Sequence, residues 1–163
     1  FIDWPNEPNE YLEAILGDRA ARLNPFKTYA DNGIVQALGS DGPCTEPEPL
    51  MWIHKACNNG DQSLTVQQAL KMATANGAKA LRRNTGVIAE GKVADIILLN
   101  FSDVNLFPCH DVEENLVYSA RGNNVCMNMA RGKVIYENGV FHTLDVERIR
   151  EEMTGYALPK IFG

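Results

Sequence analysis

The stretch Ile34-Val35-Gln36-Ala37-Leu38-Gly39-Ser40-Asp41-Gly42-Pro43 constrains this chain more than any other. An apolar run rich in β-formers stops abruptly in Gly-Ser-Asp-Gly-Pro. That pattern predicts a buried strand which delivers one carboxylate, Asp41, at its C-terminal tip. In α/β proteins the crevice outside strand C-termini is lined by loops rather than packed side chains, and chemistry collects there. Asp also caps turns and helices, so from strand and turn alone both roles stay open for Asp41. Just upstream, Phe26, Tyr29 and Ala30 fall at helical spacing, and Asp31-Asn32-Gly33 supplies a left-handed helix stop. Helix, glycine turn and buried strand form the αβ half of a repeating β/α unit.

Composition narrows the function classes. The net charge of −6 leaves no basic patch for phosphates and excludes nucleic acid as a main partner. No apolar run approaches the ~18 residues of a membrane span, and no secretory leader is visible. Cys44, Cys57, Cys109 and Cys126 show no CxxC spacing, which predicts free thiols in a reducing cytoplasm. The chain opens on Phe1-Ile2-Asp3-Trp4-Pro5 and reads as the middle of something longer, so a fragment is expected.

In order along the chain, Pro8 behind Asn6 opens a helix whose Leu12, Ile15 and Leu16 share a face. Arg19 and Arg22 read as a solvated face or an ion pair. After Asp41 comes a Pro-rich loop to Pro49, then a short helix over 50–57 in which His54 reads as a packed structural histidine. Thr65 with Gln68 matches a capping box and opens a helix running to Leu81. From Thr85 the character changes to short strands: Gly86–Asn100 reads as strand, Glu90-Gly91 turn and strand, followed by strands Leu116–Ala120 and Val125–Ala130. A hairpin over 133–142 turns at Asn138-Gly139. These predict a small sheet or sandwich. Asp145 caps a final amphipathic helix to Tyr156, with Val146, Ile149 and Met153 on one face.

The residues Gly39-Ser40-Asp41-x-Pro43, Ser63-Leu64-Thr65-x-x-x-Ala69, Thr74-x-x-x-Ala78 and Gly86-x-Ile88-x-x-Gly91-Lys92-x-Ala94-Asp95-Ile96, in this order, resemble the C-terminal third of the amidohydrolase superfamily. Asp3-Trp4, Leu16-Gly17-Asp18-Arg19 and Pro25 are similar to its N-substituted formamide deformylase-like branch. Val117-Tyr118-Ser119-Ala120 and the run from Arg131-Gly132-Lys133-Val134 to Asn138-Gly139 are similar to the chlorohydrolase and nucleoside deaminase branch.

The resemblance implies an α/β plus β fold: the last elements of a TIM-type (β/α)8 barrel over residues 1–84, part of a composite β-sandwich over 85–142, and a C-terminal helix and tail over 143–163. It implies that Asp41 lies at a catalytic divalent metal, zinc by family habit, and shuttles a proton from water to the leaving group. Gly42, Pro43 and the loop to Pro49 would border the pocket of a small-molecule substrate. The family's His-x-His and further ligands lie on earlier strands; His54, His110 and His142 match none of them. A zinc site needs three or four protein ligands. The chain alone is therefore expected to hold no metal and to be catalytically incomplete, and its open sheet edges invite homo-oligomers or other association.

The leading expectation is hydrolysis of an amide- or formamide-type C–N bond. The rivals are a deaminase or chlorohydrolase acting on a heteroaromatic ring, and a non-catalytic scaffold or interaction domain. A Cys57–His54 hydrolase lacks an orienting third group.

Overall fold

A computed structural model describes residues 9–42 and 44–163. Asn6, Pro8 and Pro43 lie outside the described residues, as does the Arg22 side chain. The chain divides into two compact units. One comprises the described residues up to Lys92 together with Phe101–Asn124; the other comprises Val93–Asn100 and Val125–Gly163. The region 85–142 therefore contributes residues to both.

The first unit is helical. It contains α1 (Asn9–Leu16), α2 (Phe26–Asp31), α3 (Pro49–Cys57), α4 (Val66–Ala73), α5 (Ala75–Ala80) and α6 (Val112–Tyr118), with short stretches of tighter helix over Gly17–Arg22, Gly60–Gln62 and Gly122–Asn124. α3 packs against α4 and α6. The core is Leu50, Ile53 and Ala56 of α3, Ala69 and Met72 of α4, Ala78 of α5 and Val117 of α6. Phe26 of α2, with Leu64, Leu106 and Ala120, completes it.

The helix ends follow the sequence cues. α2 stops in a Schellman motif: Ile34 N donates to Tyr29 O, Gly33 N donates to Ala30 O, and Gly33 sits at φ +71°. The Thr65/Gln68 capping box opens α4.

Two expectations change here. The run 65–81 is two helices, because Thr74 leaves the helical region (φ −130°, ψ −91°) and its hydroxyl turns back to Leu70 O at 2.6 Å. Gly86 fills the break: a Cβ there would lie 2.8 Å from Thr74 O and 2.8 Å from the Ala78 methyl. Leu116–Ala120 is not a strand but the end of α6 and the turn after it. Asp111 caps that helix by accepting from Glu114 N at 2.9 Å, and Glu113 and Glu114 place negative charge in its first turn.

The predicted buried strand is also corrected. Residues 34–40 form no ladder with any described strand, and Ile34 and Val35 are 52% and 51% exposed. A strand needs a neighbour to take its N–H and C=O groups. Here helices take them instead. Leu38 N donates to Met72 O (3.2 Å) and Asn76 Nδ2 donates to Gln36 O (2.9 Å), while the Gln36 side chain donates through Nε2 to Phe26 O (2.9 Å).

The second unit is an antiparallel sheet in the order β1 (Ile96–Leu99), β2 (Val125–Ala130), β3 (Lys133–Glu137), β4 (Val140–Phe141). Register follows Ile96↔Met129, Met129↔Val134 and Tyr136↔Phe141. Both hairpin turns have two residues at positive φ, Arg131-Gly132 and Asn138-Gly139, whose twist matches the flanking strands. Asn138-Gly139 stands where the sequence places it. Gly86–Ala89 forms no strand. Asp145 caps α7 (Val146–Glu152), which continues through a wider turn over Met153–Ala157 into α8 (Leu158–Phe162). Among the described residues, no helix is long and apolar enough to cross a membrane.

Candidate functional site

Asp41 sits where the extended segment 34–40 leaves the α4–α5 break. Its backbone is left-handed, φ +54°, a conformation a non-glycine residue adopts at a cost of ~1 kcal/mol or more. The surrounding main chain is closed on itself. Gly42 N donates to Ser40 Oγ (3.1 Å), Cys44 N donates to Asp41 O (3.0 Å), and the Thr45 hydroxyl donates to Ser40 O. Toward α3, the Trp52 indole donates to Glu46 O at 3.1 Å. The Asp41 side chain is exposed and makes no hydrogen bond among the described residues. A carboxylate held by its backbone and free at its head is available to a ligand or to a proton. Gly42 is exposed beside it.

The histidines are engaged elsewhere. His54 Nδ1 donates to Val117 O at 3.2 Å, and its ring meets Tyr118 edge-on at 5.5 Å. It is a tie between α3 and α6, as the sequence reading has it. His110 and His142 are exposed. Among the described residues, no group of three or more His, Cys, Asp or Glu is arranged to hold a metal ion.

Cys57 is half-buried, and desolvation pushes its thiol up from 9.0. That disfavours the thiolate a nucleophile needs. Arg19 turns to Leu16 O at 3.4 Å.

Asn84 and the motif residues Lys92 and Asp95 prove to be fastenings. Asn84 donates to Gly91 O (2.9 Å) and receives Lys92 Nζ (2.8 Å), closing the Glu-Gly-Lys turn. Asp95 accepts from Arg131 N at 2.8 Å, at the left-handed start of the β2–β3 turn. Thr45 and Trp52 were not singled out in the sequence. A hydroxyl four residues past Asp41 was the available cue.

A sequence model of the amidohydrolase family matches residues 4–136. The chain belongs to the amidohydrolase family. Within that family it is 38% identical over 154 residues to 5-methylthioadenosine/S-adenosylhomocysteine deaminase of Caldanaerobacter subterraneus, covering 88% of this chain and 36% of the relative. It is 35% identical over 141 residues to 5'-deoxyadenosine deaminase of Methanosarcina acetivorans, covering 82% of this chain and 33% of the relative. The crystal structure of atrazine chlorohydrolase TrzN from Arthrobacter aurescens, complexed with zinc, matches with a TM-score of 0.68 at 26% identity, covering 91% of this chain and 38% of that one. The chain thus spans about a third of the length of the curated relatives it matches.

Zinc is bound in that amidohydrolase structure. Among the described residues of this chain, Asp41 is an exposed carboxylate, and no group of three or more His, Cys, Asp or Glu is placed to hold such an ion.

Proposed function

We propose that this chain is the C-terminal part of a metal-dependent amidohydrolase that deaminates a heteroaromatic ring, with an adenine-type nucleoside as the substrate class. What carries this reading is the pair of curated deaminases at 38% and 35% identity over more than four fifths of the chain. It moves the reaction from an acyclic formamide, the reading suggested by Leu16-Gly17-Asp18-Arg19, to the C–N bond of an exocyclic amine. The structural likeness to a zinc-bound chlorohydrolase favours a second reading, displacement of a ring chloride, which uses the same attack by water.

In this proposal residues 1–84 belong to the last elements of a (β/α)8 barrel, and the sheet of the second unit belongs to a composite sandwich. The divalent metal of the parent, zinc by likeness, would supply acidified water; its remaining ligands would come from outside this chain. Asp41 receives the proton of the attacking water and returns it to the leaving amine, a task suited to an exposed carboxylate with no competing hydrogen bond among the described residues. Gly42, with no side chain, leaves the approach to Asp41 open, and Pro43 and the loop to Pro49 border the substrate. The edges of β1 and β4, unpaired by any other strand among the described residues, are where another strand, from the parent or from a second copy, would add. Four free thiols favour a reducing compartment such as the cytoplasm.

The test is ammonia release by the parent protein from 5'-deoxyadenosine and 5'-methylthioadenosine, against release of formate from an N-formyl amine and chloride from a chlorotriazine. Turnover of the nucleosides alone is expected. Formate release alone would return the reading to the formamide branch.

A further inference from the structure

We infer that Thr45 is a positioning residue for Asp41, acting through Ser40. This rests on the proton-shuttle reading of Asp41. Three contacts enclose Asp41 and leave its carboxylate outside. The Thr45 hydroxyl donates to Ser40 O, the carbonyl of the peptide that enters Asp41. Ser40 Oγ accepts from Gly42 N (3.1 Å), the amide of the peptide that leaves it. Cys44 N donates to Asp41 O (3.0 Å), the carbonyl of that same leaving peptide. Both peptide planes that set the φ and ψ of Asp41 are therefore held.

That holding is needed because Asp41 stands at φ +54°. A non-glycine residue released from such a clasp relaxes toward negative φ, where it is more stable by ~1 kcal/mol or more. A change of φ from the left-handed to the right-handed region swings the Cα–Cβ bond and carries the carboxylate away from its direction. Ser40 and Thr45 are both half-buried, so water competes only partly for their hydrogen bonds. Thr45 touches no reacting atom in this scheme; its effect passes entirely through the backbone of Asp41. Misplacing a reacting group by ~1 Å can cost about a hundredfold in rate.

The experiment compares Thr45→Val and Thr45→Ser in the parent protein. Valine keeps the shape and removes the hydroxyl; serine keeps the hydroxyl. Steady-state kinetics on the nucleoside substrate are read together with hydrogen exchange of the peptide spanning 41–48. For Thr45→Val, kcat should fall about tenfold or more with KM changed less than twofold. Exchange at the Cys44 amide should speed up, and Thr45→Ser should restore both.

A Thr45→Val protein with parental kcat and parental exchange overturns the inference. So does one whose KM rises while kcat holds, since that marks substrate contact and not positioning. Asp41→Asn separates this from the reading beneath it. If Asp41→Asn abolishes turnover while Thr45→Val is silent, only the positioning role falls. If Asp41→Asn keeps near-parental kcat, the shuttle role falls and the positioning role falls with it. Should Thr45→Val not fold, loss of exchange protection and of kcat in Thr45→Ser relative to the parent would overturn the claim that the hydroxyl suffices.

Discussion

Asp41 and Gly86 are both left-handed, for opposite reasons. Asp41 carries a side chain in a conformation that resists one, and its neighbours close hydrogen bonds around it. Its head is exposed, so it is the residue whose chemistry can be removed without disturbing packing. Asp41→Asn in the parent is expected to abolish turnover, since an amide cannot hold and return the proton; steady-state kinetics check this, with circular dichroism confirming an intact fold. Gly86 is a packing residue at φ +85°, pressed on the α4–α5 break. Gly86→Ala brings a methyl within 2.8 Å of Thr74 O, a main-chain atom that cannot step aside. It should destabilise by about 2–3 kcal/mol, read from the urea midpoint.

Cys57 gives a pH-dependent prediction with a definite sign. Burial raises its thiol above 9.0 in the fold. Below the unfolded value both states hold the proton and nothing changes. As pH rises past it the unfolded chain ionises first, so stability falls until the folded thiol ionises too. Alkylation of Cys57 at neutral pH should accordingly be slower than that of exposed Cys44 or Cys109, as peptide mass spectrometry after brief iodoacetamide treatment would show.

At the level of elements, caps and turns decide more than hydrophobic runs do. Thr65 and Gln68 satisfy two otherwise orphaned amides at the start of α4, which carries Ala69 and Met72 into the core. Thr65→Ala should cost ~1 kcal/mol, measured by chemical unfolding. Elements with such local signals were legible: the α2 stop at Gly33, the α4 start, the Asn138-Gly139 hairpin and the Asp145 cap. Val117-Tyr118 was misread as strand because β-branched and aromatic residues suit either state. The cap at Asp111 and the carboxylates of Glu113 and Glu114 settled it as helix. Thr74 broke a continuous helical pattern for a reason outside its own window, the approach of Gly86 twelve residues on.

At the scale of the whole molecule, the 163-residue chain is expected to purify without stoichiometric zinc, iron or manganese, as elemental analysis without chelator would show. One tightly held ion per chain would mean that Asp41 has partners within this chain. The sequence by itself determined what depends on short spacings: family membership through the Gly-Ser-Asp and Glu-Gly-Lys-x-Ala-Asp runs, the caps and the hairpin. Only the tertiary structure decided that residues 34–40 hydrogen-bond to helices, that His54 ties α3 to α6, and that Asp95, Asn84 and Lys92 fasten turns. It alone showed that Thr45 reaches back to Ser40 around Asp41. These are contacts between residues whose pairing is set by which main-chain groups lie free once the helices have formed. Local spacing does not encode it: the Met72 carbonyl is open to Leu38 because the helix breaks at Thr74.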